Sequence, residues 1–174
     1  SLHAKGNHGV WRLPNGAAYY AHRLQRITTT NLTPDQIHQI GLNEVARIHM
    51  EIQKIMHQVN FGGDLQAFFD FMRSDSQFFY TNTDKGRAAY LAEANRVIAT
   101  MKSRLNEFFY TTPKAELYVK AIEPFRQESF GTSAYYQRPA PDGSRPGIYY
   151  ANLYRMENMP KYKLEALAYH EALP

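Results

Sequence analysis

The sequence has 174 residues, of which 44% are hydrophobic and 21% charged, and it contains no cysteine. This composition suits one globular core, and the lack of cysteine excludes disulfides, thiol catalysis and thiolate metal sites. The net charge of +4 comes from scattered basic pairs, and the apolar runs fall far short of the roughly 20 residues of a bilayer-spanning helix, so we expect neither nucleic-acid binding nor a transmembrane segment.

Helices dominate the first part of the predicted structure. After an irregular opening rich in Gly, Asn and Pro, a first helix is predicted over 17–28. Thr33, Pro34 and Gln36 then supply an N-cap, a proline at the first helical position and a capping-box glutamine, which is the strongest helix start in the chain. Apolar residues recur every three or four positions along the helix that follows and form one stripe: Ile37, Ile40, Val45, Ile48, Ile52, Ile55 and Val59.

Two further helices complete the helical part, which we place at 17–110. Asp64 is the predicted cap of a short helix that extends to about Arg73. Thr83 is the predicted cap of a long helix, which Pro113 prevents from continuing. The buried face of this long helix is expected to carry Tyr90, Leu91, Ala94, Val97, Ile98, Met101 and Leu105.

A small β-sheet is predicted over 114–153. Residues 116–122 and 133–137 alternate polar and apolar side chains, and 148–153 follow a turn rich in Pro and Gly. We predict that these three strands form an antiparallel sheet and that a last helix follows over 160–172, from about Lys161 to about Ala172. Helices, then a small sheet, then a helix define an α+β fold that is predominantly α-helical.

The last predicted helix ends on His170-Glu171, the pair with which zinc peptidases begin their metal site. In that chemistry the histidine binds the metal, and the glutamate takes a proton from the metal-bound water. The short form of the motif, H-E-x-x-H, needs a second histidine at the position of Pro174, so the short form is absent. Because a His-Glu pair is common by chance, a surface pair at a helix C-terminus is the alternative reading.

The helix that begins at Pro34 carries three more histidines, His38, His49 and His57. His38 and His49 are eleven residues apart, which is about 16 Å along a helix axis, so these two cannot share one metal ion. We expect the three side chains to lie on a solvated or partly buried face.

Three spaced blocks resemble a family of bacterial proteins, domain-of-unknown-function family 885. The blocks are residues 11–20 (WRLPNGAAYY), residues 28–45 (TTTNLTPDQIHQIGLNEV) and residues 144–174, which end in HEALP. In the family the last pattern continues as Gly-His-His. The resemblance covers essentially the whole chain, and three blocks in the right order make a more specific match than the last five residues alone.

The resemblance implies a zinc-dependent, hydrolase-like fold that is distantly related to helical metallopeptidases such as carboxypeptidase Taq. Many members of the family are exported lipoproteins of Gram-negative bacteria, so it also implies export. It makes His170 a metal ligand and Glu171 the general base, and it places the remaining ligands beyond Pro174. Residues 1–174 would then be an internal fragment of a larger metallopeptidase-like domain.

Two expectations follow for such a fragment. A catalytic zinc needs about three protein ligands and a water, so we expect the fragment alone to bind no zinc and to be inactive, while the parent protein binds zinc. Apolar faces that the rest of the domain would cover are expected to favour self-association.

The leading hypothesis is therefore a fragment of a zinc-dependent hydrolase that acts on peptide or amide bonds. For its peptide-like substrate, we predict that 148–152 is an edge strand that pairs with the substrate backbone, with Tyr149, Tyr150 and Asn152 contacting the substrate. Arg145 is a candidate for binding a substrate carboxylate. The simpler alternatives are aromatic rings that only pack the sheet and a solvent-facing arginine. The alternative function is a non-catalytic helical binding or scaffold domain of an exported bacterial lipoprotein.

Overall fold

The computed structural model describes residues 9–173 and confirms an α+β fold that is mostly helical. The described residues form two compact units, one that ends at Phe68 and one that begins at Phe69. In chain order the helices and strands are α1 (Gly16–Thr28), α2 (Pro34–Gln58), α3 (Leu65–Ser74), α4 (Asp84–Lys102), β1 (Leu117–Ala121), α5 (Pro124–Gln127), β2 (Ala134–Gln137), β3 (Gly147–Ala151) and α6 (Lys161–Ala172).

Helix α2 begins at the predicted capping box. The Thr33 hydroxyl accepts a hydrogen bond from the Gln36 backbone N–H at 3.2 Å, and the Gln36 side chain accepts one from the Thr33 N–H at 2.8 Å. These two bonds satisfy N–H groups that have no partner inside the helix, which explains why α2 starts here. The apolar stripe of α2, however, is largely exposed, and Met56 is the one residue of this helix that is buried.

The unit from Phe69 onward holds the larger core of the described chain. Helices α4 and α6 pack against each other and against the sheet. Their apolar faces meet those of the strands in a cluster that includes Tyr90, Ala94, Val97, Ile98, Tyr149, Ala151, Leu153, Leu164, Ala168 and Ala172. The predicted buried face of α4 therefore lies in this core at four of its seven positions, and Leu91 packs at its margin.

The three strands form a mixed sheet in the order β1-β3-β2, so the predicted antiparallel sheet is wrong in one pairing. Strand β2 runs antiparallel to β3, whereas β1 runs parallel to β3. The chain turns straight back between β2 and β3, but it reaches β3 from β1 only after passing through α5 and β2. Alternation along a strand reports which residues are buried and carries no information on the direction of its neighbour, which explains the error.

The central position of β3 also corrects the substrate-strand prediction. Residues 148–152 were predicted to form an edge strand, but β3 is paired on both sides, and all five of its residues are buried. Its backbone N–H and C=O groups are used by β1 and β2, so β3 has no free edge for a peptide. The free edges of this sheet belong to β1 and β2.

Candidate functional site

The His170-Glu171 pair lies in the last turn of α6, which ends at Ala172 as predicted. Leu164, Ala168 and Ala172 are spaced by four residues and form the buried face of this helix. His170 is two positions from both Ala168 and Ala172, which places it about 200° around the helix from them, and its side chain is exposed. The packing of α6 thus leaves the imidazole accessible to a ligand from solvent.

Glu171 is half-buried and lies between the exposed and the buried faces of α6. Within residues 9–173 its carboxylate has no hydrogen bond to a side chain or backbone group and no ion pair. A carboxylate without a bound partner retains its lone pairs for a proton or a donor from elsewhere. That state suits a group that accepts a proton.

Tyr149 lies in the core against which α6 packs. Its side chain is 0% exposed, and it belongs to the same cluster as Ala168 and Ala172. Burial raises the pKa of Tyr149 well above the ordinary tyrosine value, and the neighbouring Tyr90 hydroxyl and the negative charge of Glu171 raise it further. The Tyr90 hydroxyl is close by, but the Tyr149 hydroxyl makes no hydrogen bond of ordinary geometry.

The other predicted substrate residues are not gathered around His170. Tyr150 points to the opposite face of the sheet, where its ring stacks on Tyr135 with centroids 4.8 Å apart. The Asn152 amide nitrogen lies 3.0–3.2 Å from three backbone carbonyl oxygens, that of Gln127 at the end of α5 and those of Phe130 and Thr132 in the loop that follows. Arg145 is exposed, and its guanidinium donates to the backbone carbonyl of Arg138 at 2.7 Å.

Sequence reasoning missed a cluster of an arginine and aromatic rings on that opposite face. The guanidinium carbon of Arg126 lies 5.7 Å from the ring centroids of Phe130, Tyr135 and Tyr150. Glu123 accepts a hydrogen bond from Arg126 Nε at 2.6 Å, so the guanidinium is held by both a carboxylate and rings. The available sequence signal was Pro124, a typical first residue of a helix, which marks α5.

A polar cleft of about 550 Å³ lies beside the start of α6. Asn152 contributes to its wall, together with Arg73, Glu128, Arg155, Glu157 and Lys163. Lys161 and His170 are nine residues apart, or roughly 13 Å along the helix, so the cleft and the His-Glu pair lie at opposite ends of α6. Of the predicted site residues, only Asn152 lines this cleft.

The side chains of the described chain could supply one ligand of a zinc site, but they do not form a complete zinc site. Between residues 9 and 173 there is no group of three or more His, Asp or Glu side chains that could hold a metal ion. His22, His38, His49 and His57 are all exposed. Pro174, which replaces the second histidine of the short motif, lies outside the described residues.

The chain belongs to a family of bacterial proteins of unknown function, DUF885, whose model matches residues 2–174. It is also similar to a solved structure, described as that of the "putative lipoprotein" from Colwellia psychrerythraea, with 35% sequence identity and a TM-score of 0.84. The match covers 95% of this chain and 28% of that chain. No curated protein matches the sequence.

These comparisons confirm the family that the three sequence blocks indicated, and the lipoprotein description belongs to the Colwellia protein. The chain spans about 28% of the length of that protein. Within the described residues, none of the helices has both the length and the apolar character that crossing a bilayer requires.

Proposed function

We propose that this chain supplies the first metal ligand and the general base of a zinc-dependent hydrolase that acts on peptide or amide bonds. The observation that carries the proposal is the arrangement of His170 and Glu171 on one turn of α6, with the imidazole exposed and the carboxylate without a partner in the described chain. A helix anchored by Leu164, Ala168 and Ala172 would hold both groups in fixed directions.

In this proposal each side chain has one task. His170 would bind the metal through a ring nitrogen, and Glu171 would accept the proton of the attacking water. Zinc, when bound, supplies a water of lowered pKa and polarises the substrate carbonyl. Because the described donor set is incomplete, the remaining ligands would come from another part of the protein.

A peptide substrate would find its free strand edge at β2. The Asn152 N–H donates to the Ser133 carbonyl at 2.8 Å, so in this antiparallel ladder Tyr135 and Gln137 also pair with β3. The backbone N–H and C=O of Tyr136 therefore point away from β3, toward the free edge. Strand β2 also packs against α6, which carries the His-Glu pair.

Direct substrate contact by the four residues singled out in the sequence remains part of the proposal, with different support for each. Arg145 is exposed and therefore accessible, whereas Asn152 lines the polar cleft at the other end of α6 from the His-Glu pair. Tyr149 and Tyr150 are buried, which favours packing roles. Unchanged turnover of peptides by the full-length protein with Asn152→Ala and Tyr150→Phe would remove substrate contact by these two residues from the proposal.

A second candidate function is a non-catalytic binding or scaffold domain of an exported lipoprotein. The observation that favours it is the cleft of about 550 Å³, which is far from the His-Glu pair and is lined by charged side chains of both signs. A ligand in this cleft would need neither His170 nor Glu171. Export, which the lipoprotein description of the Colwellia structure supports, is compatible with both functions.

The deciding experiment uses the full-length protein and its Glu171→Gln variant in a peptide-library assay. If Glu171 is the general base, the substitution should lower turnover by about 100-fold or more while metal content is unchanged. Glu165→Gln, an exposed carboxylate on the same helix, is the matched control and should leave turnover unchanged. Equal turnover in both variants and the wild type would contradict the assignment.

A further inference from the structure

Helix α2 presents a long apolar surface to solvent. This surface, the α2 stripe, consists of Ile37, Ile40, Val45, Ile48, Ile52, Ile55 and Val59. The seven side chains lie within roughly 140° of the helix circumference and along about 33 Å of its axis. Five of them are between 44% and 58% exposed, namely Ile40, Val45, Ile48, Ile55 and Val59. A stripe of this width normally faces the core of a protein, and a contiguous exposed one marks an interaction surface.

The described chain gives α2 little packing of its own. Within residues 9–68, the buried large hydrophobic side chains are Met56 and Phe68, and neither belongs to the α2 stripe. Helices in proteins gain most of their stability when their apolar face packs against another surface. The α2 stripe therefore calls for a partner that covers it.

The charges beside the α2 stripe indicate which kind of partner fits. Glu44 pairs with Arg47 at 2.8 Å, and Glu51 pairs with Lys54 at 2.9 Å, so these carboxylates are matched by bases of the same helix. In total α2 carries two basic and three acidic residues, whereas helices that lie on anionic membranes are rich in Lys and Arg. The α2 stripe thus suits an apolar protein surface rather than a lipid surface or a nucleic acid.

We propose that the α2 stripe is a docking surface for the apolar face of an α-helix that belongs to the full-length protein outside residues 1–174. The occupant is inferred from the similar Colwellia structure, where the match covers 95% of this chain but 28% of that chain, so most of that protein lies outside the shared part. A helix fits because apolar residues three and four positions apart form ridges that pack into the grooves of another helix. A partner helix of about 22 residues would cover the whole stripe.

The first test measures whether the α2 stripe is covered in the full-length protein, and it needs no activity. The 174 residues contain no cysteine, so a cysteine introduced into α2 is the one thiol of this segment. Ile48→Cys and Ile55→Cys place the thiol on the α2 stripe. Ala46→Cys is the matched control, because Ala46 is exposed and lies about 200° around the helix from Ile48. The rate of maleimide labelling is read by mass spectrometry of the α2 peptide.

A covering helix predicts that both stripe thiols react at least about tenfold more slowly than the control thiol, because labelling then requires a local opening. The ratio should not change when the protein is diluted, since the partner belongs to the same chain. Equal rates at all three positions would overturn the proposal. Slow labelling that becomes fast on dilution would overturn it in favour of a second copy of the chain as the occupant.

The second test uses the order of two melting temperatures in the full-length protein. Isoleucine and asparagine have similar helix propensities, whereas alanine has a higher one. If the α2 stripe faced solvent, Ala46→Asn would therefore be more destabilising than Ile48→Asn. A covered stripe predicts the reverse, with the melting temperature of Ile48→Asn lower than that of Ala46→Asn by about 5 °C or more. Ile48→Asn melting at or above Ala46→Asn would contradict the docking of a helix on α2.

Discussion

Ala168 lies at the centre of the contact between α6 and the rest of its core, and an Ala168→Leu substitution tests whether that contact holds the motif helix in place. The Ala168 side chain is 0% exposed and packs in the cluster with Tyr149 and Leu164. Leucine adds three carbon atoms where no space is open to solvent. Overpacking of this kind costs about 1–3 kcal/mol, which corresponds to roughly a 5- to 160-fold rise in the unfolding constant.

The matched control is Ala166→Leu. Ala166 is exposed on the same helix two positions earlier, so the change in helix propensity is the same in both variants. In urea unfolding monitored by circular dichroism, the free energy of unfolding of Ala166→Leu should lie within about 0.5 kcal/mol of the wild-type value. That of Ala168→Leu should be clearly lower than the wild-type value. Equal stability of the two variants would refute the packing of α6 against the sheet, and with it the fixed direction of His170.

Three further predictions concern the packing and the surface charges. Gly86→Ala should lower the free energy of unfolding by about 1–3 kcal/mol in urea because a Cβ there would strike the preceding backbone. Gly41→Ala, in an open helix position, should raise the free energy of unfolding by about 0.5–1 kcal/mol. The reverse order would contradict both assignments. Asn152→Ala should cost about 1–3 kcal/mol in the same assay through its lost bonds to backbone carbonyls, and a change below about 0.5 kcal/mol would count against that role. A hydrogen bond from Arg96 lowers the pKa of Glu93 in the folded protein. The ionised Glu93 therefore contributes fully to stability above the ordinary carboxyl pKa of about 4, and this contribution is lost as pH falls through the lowered folded-state pKa. The unfolding midpoint of the wild type should therefore drop more steeply below pH 4 than that of Glu93→Gln, and parallel curves would exclude the effect.

Local signals in the sequence were sufficient for most of the helices. The Thr33 capping box and the Thr83 cap both form in the structure, and each depends on bonds between residues three apart. The limits of α6 at Lys161 and Ala172 also agree with the prediction. These features were predictable because their physical causes lie within one helical turn.

Long-range arrangements were not predictable in the same way. The parallel pairing of β1 with β3 depends on where the chain returns after α5, which no alternation pattern encodes. The same gap led to the wrong edge-strand assignment for 148–152. Similarly, the periodic apolar residues of α2 identify a helical stripe, but its large exposed part was visible only in the structure.

The same contrast between local and long-range features applies to the candidate site. His170 and Glu171 are adjacent in sequence, so a motif and three family blocks were enough to single them out. The packing of Tyr149 in one core with Ala168 and Ala172 joins β3 to α6, and only the structure shows it. The sequence had marked Tyr149 for substrate contact, whereas its complete burial favours a packing role.

The most direct test of the central claim is the zinc stoichiometry of the full-length protein and its His170→Ala variant, measured by elemental analysis after dialysis. If the imidazole of His170 is a metal ligand, the wild type should retain about one zinc per chain and the variant should lose it. His57→Ala, which removes an exposed histidine of α2, should retain zinc like the wild type. Full zinc occupancy in His170→Ala would contradict the metal-ligand assignment and leave the family fold without a metal site at α6.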